Sequence, residues 1–525
     1  MGKSNRRSTG CAVGPTQKAD AGPIHERVRA VGPERFGLIV VDPHKDGSVV
    51  QVTDFYGKVL LPPKAFSNTA PELEAMVATI KQCLADHHII DAIGGVERTG
   101  RYHGPVRRTL RRHWDVKMIH PYATKQLRQP ASPGVKTDEV DLDAMTRAMI
   151  TGYGREEPEL PLLYSEWRAV NRMREDLVCK RTALKAQCQE KIQANMPGYS
   201  RLFGDLWDSE AALQIACLFG SPVAVKEAGA EKILRRLRRR GIRVLNSTVE
   251  GVLYWSTQAA DPDPTWKLQR RLLRDCVSLL DHLTRHIGRY EVELLRRLVQ
   301  VPAVRLLVTP GINVVSCAGY GSELGPISDY LNPRRITGRA GLFGGRYQTA
   351  DTDRPQGLVL RGHNLRLRDA TMEVARNLLQ HNSHYRAWGE FHRQKGWKPS
   401  RTQAAVANRF ARLSHAMLND RPVNDHPCLR RRDSVLGKIF RFCHDYNLDQ
   451  STTQLLTEQA LAQLPRDWWL HELNALQQGA WHSPSRRKPD AARRQTPTSV
   501  AAVIARLWEL ANPSNGGTES TTAQN

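Results

Sequence analysis

Two apolar runs that each stop on a carboxylate constrain this chain more than any other feature of its sequence. FGLIVVD at 36–42 ends on Asp42, and HIIDAIGGVE at 88–97 ends on Glu97. Runs of this length, rich in Val and Ile and bounded by turn formers, read as strands. VVQVTD at 49–54 follows the first run across the turn-prone HKDGS, and KVLLP after DFYGK adds a third short run, so a three-stranded meander is expected. NTAPELEAMVATIKQCLADHH then has helical spacing, with Thr69 as N-cap, Pro71 in the first turn and Glu72 placed for a capping box. After Glu97, GRYHGPVRRTLRRHW reads as a helix and DVKMIHP at 115–121 as a further strand.

A meander followed by alternating helices and strands is the order of an RNase H-like fold, an order other α/β layers share. Asp138 and Asp141 lie in GVKTDEVDLDAM, three residues apart at the start of an expected helix, and so on one face of it. If the strands that carry Asp42 and Glu97 are neighbours, all four carboxylates converge. Clustered anions call for cations, and hard oxygen donors select Mg²⁺ or Mn²⁺, the ions of phosphodiester chemistry. Taken singly, each acid has a plainer role as a turn or helix cap. Asp143 points to a different face and is expected in solvent.

Lys and Arg total 77 against 53 Asp and Glu, a formal charge of +24, which makes nucleic acid the leading partner class. The nine cysteines occur singly and never as CxxC, which argues against a zinc ribbon or a disulfide framework and for a reducing compartment. No apolar run approaches a membrane span, and MGKSNRRSTG lacks the apolar stretch of a signal peptide, so a cytoplasmic location is expected.

At 525 residues the chain is expected to form several domains. Residues 1–34 read as a flexible basic arm and 35–157 as the α/β domain. Residues 158–300 read as a long helical, coiled-coil-like region, in which Leu273, Cys276, Leu280, Leu283, Ile287, Tyr290 and Leu294 step by threes and fours. That stripe suits a two-helix hairpin or a dimerising coil equally. In the same region ILRRLRRRGIR at 233–243 is dense enough in arginine to meet phosphate. Residues 301–400 form a third region with TPGIN at 309–313, a tight turn of helix-hairpin-helix kind that could offer backbone N–H groups to phosphate. Residues 401–525 read as a basic helical extension with a disordered tail; its tryptophans, Trp468, Trp469, Trp481 and Trp508, are expected in a core rather than as base-stacking platforms.

DPHKD at 42–46, GVERTGRYHGPV at 95–106, IHPYATKQLRQ and KTDEVDLDAM at 136–145 resemble, in order and spacing, the N-terminal domain of the insertion-sequence-110 transposases, relatives of the Piv DNA invertases. TPGINVVSCAGYGSELG at 309–325 and the block 336–375 are similar to that family's C-terminal transposase domain. The resemblance implies a RuvC-like domain with a metal-holding tetrad, carried here by Asp42, Glu97, Asp138 and Asp141. It implies DNA strand cleavage and exchange, a structured guide RNA beside the DNA, and a covalent intermediate on a serine. At the matching position this chain has Thr349, in RYQTAD, with Thr352 a weaker candidate. A threonine hydroxyl performs the same displacement with more crowding. Arg339, Arg346, Arg361, Arg366 and Arg368 lie among glycines of that block and are expected on phosphates. Concerted cutting of two strands suits a homo-oligomer, dimer or tetramer. A metal-dependent nuclease using water, or an inactive nucleic-acid binder, are the alternatives.

Overall fold

The computed structural model describes residues 22–128, 134–157, 159–344, 347–348, 353–354, 364–421 and 426–479. The chain divides into two compact units, one of residues 1–160 with 346–357, the other of 161–345 and 358–525.

The first unit is built on a five-stranded sheet in the order β3-β2-β1-β4-β5. β1 (Phe36–Pro43), β2 (Gly47–Asp54) and β3 (Val59–Ser67) form the expected antiparallel meander. β4 (Asp91–Glu97) then runs parallel to β1, and β5 (Asp115–Ile119) parallel to β4. Parallel strands need crossovers, and α2 (Ala70–Asp86) and α3 (His103–Leu110) supply them. On one face of the sheet Ile39, Val41, Val50, Val52 and Val96 pack against Met76 and Ile80 of α2 and Val106 and Leu110 of α3. On the other, Leu38, Val40 and Ile93 meet Leu142, Met145 and Met149 of α5 (Asp138–Ile150), which follows α4 (Pro121–Arg128). Burial on both faces explains why β1 reads as an unbroken apolar run.

Two local expectations need correction. Part of the stretch expected as a flexible arm is a helix, α1 (Gly22–Val31), whose Ile24 and Val28 are buried against Phe36 and Met145. Arg27, beside Val28 and about one turn from Ile24, pairs with Asp91 and Asp115 at the start of β4 and β5. Two apolar residues four apart are too few to stand out amid Gly, Pro and Arg, yet they suffice once a preformed sheet receives them. Ile24→Ala is expected to destabilise this unit by about 2–3 kcal/mol, measured by urea unfolding. At α2, Thr69 is the N-cap residue but its side chain makes no cap bond; its hydroxyl lies 3.4 Å from the Ser67 hydroxyl, and no capping box with Glu72 forms.

In the second unit α6 (Leu162–Asn195) and α10 (Trp266–Leu298) lie side by side and antiparallel: Glu166 meets Arg297, Arg174 meets Glu291, and Lys191 meets Gln269. The heptad-like stripe is thus spent inside the chain, with Leu273, Leu280, Ile287 and Leu294 buried. At one end of this hairpin α7 (Glu210–Leu218), α8 (Pro222–Arg238) and α9 (Asn246–Gln258) enclose a small core with Ile192, Met196 and Val277.

At the other end a larger core runs from Trp167 and Leu294 through α11 (Val314–Leu324), α12 (Pro333–Ala340), α13 (Leu365–His381), α14 (Ser383–Gln394), α15 (Pro399–Leu418), α16 (Val435–Asp445), α17 (Gln450–Gln463) and α18 (Arg466–Gln477). The expected boundary at 400 is not there. α15 straddles it, because Val406, Phe410 and Leu413 form one buried face of a helix that is basic on the other. Trp468 is buried in the same core and Trp469 packs on it, whereas Trp481 and Trp508 lie outside the described residues. Among the described residues no helix is long and apolar enough to cross a membrane.

Candidate metal centre

Asp42 and Glu97 close neighbouring strands. β1 and β4 are in parallel register with Val41 opposite Val96, so the two carboxylates leave the same end of the sheet side by side. α5 brings the other two acids. Thr137 caps it, its hydroxyl oxygen accepting from the Val140 N–H at 3.3 Å, and that fixes Asp138 in the first turn with Asp141 one turn on. Asp42 and Asp141 are buried, Glu97 half-buried and Asp138 exposed.

The gathering is visible in the chemistry of Asp42. Burial, then the negative charge of Glu97, Asp141 and Asp138, raise its pKa to about 6 against the opposing pull of His44. A carboxylate held so far above its usual range is one whose surroundings supply too much negative charge for its own ionisation.

Two residues missed by the sequence reading complete the arrangement. His44, two residues beyond Asp42 in the turn to β2, places Nε2 3.7 Å from a carboxylate oxygen of Asp42 and 3.7 Å from one of Asp138. Ligand atoms of Asp42, His44 and Asp138 lie within 4.8 Å of one another, a spacing that fits one metal ion. Glu97 and Asp141 are outside that group of three and act on Asp42 through charge. Arg128, at the end of α4, forms a close ion pair with Asp141, both side chains largely buried. The signal for His44 was present in DPHKD, where an imidazole follows the strand-ending acid by two residues. For Arg128 there was none, since the approach of α4 to α5 is a tertiary event. Asp143, expected in solvent, is half-buried and accepts a hydrogen bond from Gln51 of β2 at 3.1 Å.

Residues 39–197 match the model of a transposase family, the DEDD transposases of insertion sequence 110. This segment of the chain is similar to that family. The matched segment runs from within β1 to just past the end of α6 and includes all four acids, His44 and Arg128. No curated protein matches the chain.

The arginines expected on phosphates are engaged differently. Arg339 donates to the Leu324 carbonyl at 3.2 Å and to the Tyr330 hydroxyl. Arg366 pairs with Glu175 and Asp176 of α6, and Arg368 donates to the carbonyls of Ala340 and Gly341 at 3.0 and 3.3 Å. These three guanidinium groups hold the fold together. Arg346, Arg361, Thr349 and Thr352 lie outside the described residues. The flanks of Thr349 form a two-stranded ribbon, β6 (Tyr347–Gln348) with β7 (Asp353–Arg354), grouped with the acid-bearing unit.

The Pro-Gly-Ile turn is also engaged from within. Lys438 of α16 donates to the carbonyls of Leu307, Thr309 and Ile312 at 2.6, 3.1 and 2.6 Å, and Asn382 to that of Pro310 at 3.3 Å. Gly311, at φ 95°, packs so closely on α13 that a Cβ there would sit 3.0 Å from the Asn377 carbonyl oxygen. The turn is a packing element.

A pH effect follows from Asp42. Its pKa is higher in the folded chain than the ordinary value of about 3.9, so the folded state favours the protonated acid. The stability contributed is full below about pH 4 and is lost as the pH rises through about 6. Mn²⁺ is therefore expected to raise the melting temperature of the N-terminal unit clearly at pH 7.5 and much less at pH 5. Equal shifts at the two pH values would show that the ion binds elsewhere.

Proposed function

We propose that the chain is the DNA transposase, or site-specific recombinase, of a mobile insertion sequence, cutting and exchanging DNA strands in a divalent-metal-dependent reaction. The observation that carries this is the concentration of Asp42, Glu97, Asp138 and Asp141 at one end of β1, β4 and α5, which together with the burial of Asp42 lifts its pKa to about 6. The strand order, with a meander joined to parallel β1, β4 and β5, supports reading the unit as RNase H-like and RuvC-like. Carboxylate oxygens with one imidazole fit Mg²⁺ or Mn²⁺. When bound, such ions neutralise charge on the attacking and leaving oxygens of an in-line displacement.

The protein's own groups do the rest. Asp42, His44 and Asp138 would hold the ion, Glu97 adds charge across the strand pair, and Arg128 orients Asp141. The Thr349 hydroxyl attacks the DNA phosphorus, forming one P–O bond as the bond to the leaving DNA oxygen breaks, and its proton ends on that oxygen. One phosphoester replaces another, so rejoining needs no external energy source. The grouping of the ribbon around Thr349 with the acid-bearing unit supports a composite site. Arg346 and Arg361 are then the arginines left to hold phosphate, and the family resemblance adds a structured guide RNA and a homo-oligomeric assembly.

The test is a denaturation-resistant protein–DNA adduct. The full chain is incubated with DNA bearing the flanks of its own reading frame, with and without RNA transcribed from them, in Mg²⁺. An adduct lost in Thr349→Ala and kept in Thr349→Ser is expected. Hydrolysed DNA ends with no adduct would overturn the covalent step and favour water as the nucleophile.

A further inference from the structure

One surface feature is not used by the chemistry above. At the junction of α14 and α15 two arginines of α15, two turns apart, bracket a contiguous column of three tilted rings. The Arg409 guanidinium lies 4.2 Å from the ring centre of Trp388; Trp388 lies 4.1 Å from His392, and His392 4.2 Å from Trp397; the Arg401 guanidinium closes the column 4.2 Å from Trp397. Beside it Lys395 sits 4.2 Å over Phe391, which is 51% exposed. Helical spacing builds most of this: Trp388 and His392, Phe391 and Lys395, and Trp397 and Arg401 are each four apart. Gly396, at φ 80°, turns the chain at the end of α14 so that Trp397 folds back, its N–H donating to the His392 carbonyl at 3.1 Å.

Two properties distinguish the column from ordinary packing. Among the described residues no carboxylate pairs with Arg401, Arg409 or Lys395, although most buried or half-buried arginines of this unit have an acid or a carbonyl. His392 has its Nδ1 shielded from solvent without a hydrogen-bond partner. Burial and the three neighbouring cations hold its imidazole below the usual value, so the column's centre stays neutral while its ends are charged. Burial first, and then Arg409 and Arg430, likewise lower the pKa of His384.

Flat π-faces bordered by unpaired cations match a ligand that offers flat rings and anionic charge at short, regular intervals. An acidic peptide would satisfy the cations and leave the rings unused. In duplex DNA the bases are stacked on one another and show only their edges. An unpaired strand offers both base faces and phosphates. We propose that this α14–α15 surface binds single-stranded DNA, with an exposed base stacking on Phe391 and on the Arg401–Trp397 end of the column and phosphates meeting Lys395, Arg401 and Arg409. The inference rests on the reading of the chain as a DNA transposase and gives it a place for a strand released from the duplex.

The test uses the full chain in chelator, so that cleavage plays no part, and fluorescence anisotropy with a labelled oligo(dT) of about twenty nucleotides. Phe391→Ala and Arg401→Ala are each expected to weaken oligo(dT) binding about tenfold, with Phe391→Trp retaining it. Arg401→Ala should also lower the slope of log affinity against log salt by roughly one. A hairpin duplex should bind both variants as it binds the wild type. Unchanged oligo(dT) affinity in the two alanine variants, with thermal melts like the wild type, would overturn the proposal. So would an equal loss on the duplex, the sign of a mere charge patch, or a loss confined to oligo(U) RNA. If the wild-type chain binds no DNA at all, the proposed function falls too; if it binds and only the variants fail to differ, this inference alone falls.

Discussion

Asp42→Asn is expected to abolish Mg²⁺-dependent DNA cleavage, lowering the rate by at least about 100-fold, and at the same time to make the metal-free protein more stable. The loss exceeds the roughly 10–100-fold typical of residues that only support a metal ligand, because Asp42 is the buried member of the group with His44 and Asp138. The stabilisation has the opposite origin. Burial first, and then the charges of Glu97, Asp141 and Asp138, disfavour the ionised Asp42 carboxylate in the folded chain, as its pKa of about 6 records. An amide of the same shape removes that repulsion. After solvent screening the gain should be of order 1–2 kcal/mol, read as a higher urea midpoint at pH 7.5 in chelator. A variant that is both inactive and less stable would assign Asp42 to the fold instead of to metal.

Lys438→Met is expected to destabilise the helical unit by about 3–5 kcal/mol, the range for removing one member of a buried, charged hydrogen-bond cluster. The lysine side chain is only 15% exposed, and its ammonium group joins three carbonyls of the segment 307–312 to Asp433 at 2.8 Å. Methionine fills the same length and removes the ammonium donor from the Leu307 and Ile312 oxygens, while the Thr309 oxygen keeps the Ile312 N–H at 3.1 Å. Lys438→Arg should not rescue, since a planar guanidinium cannot occupy the centre of a three-carbonyl cage. Asp433→Asn, at a 41% exposed side chain, should cost about 1 kcal/mol or less. Unfolding followed by tryptophan fluorescence reads this directly, since Trp167 and Trp468 lie in that core. A Lys438→Met chain within 1 kcal/mol of wild type would mean that water replaces the ammonium group.

The acid cluster was legible because each member sits at a place that local rules define. Asp42 and Glu97 end strands whose apolar runs have the length and composition of buried β-structure, and Asp138 and Asp141 follow a helix-capping threonine. Their convergence needed one further fact, that β1 and β4 are neighbours, and the meander followed by a crossover makes that the natural pairing. His44 and Arg128 were not legible in the same way. What makes either notable is the group across from it, contributed by α5 in both cases.

Three of the arginines of 339–368 have partners that the sequence alone does not show. Their density among glycines looked like a phosphate surface, yet Arg366 is consumed by Glu175 and Asp176, nearly two hundred residues away, and Arg339 and Arg368 by backbone carbonyls. Likewise the repeating stripe of α10 specified a helical partner without saying whose, and α6 of the same chain supplied it.

The sequence by itself determined the strand and helix order of the first unit, the four acids and the basic character that points to nucleic acid. These depend on periodicity, caps and net charge, which are local or additive. Only the tertiary structure decided which charges find partners: Arg128 for Asp141, Glu175 and Asp176 for Arg366, and, among the described residues, no carboxylate for the cations that flank Trp388 and Trp397. Pairing is a property of distance in space, and a free charge is recognised only after every possible partner has been placed.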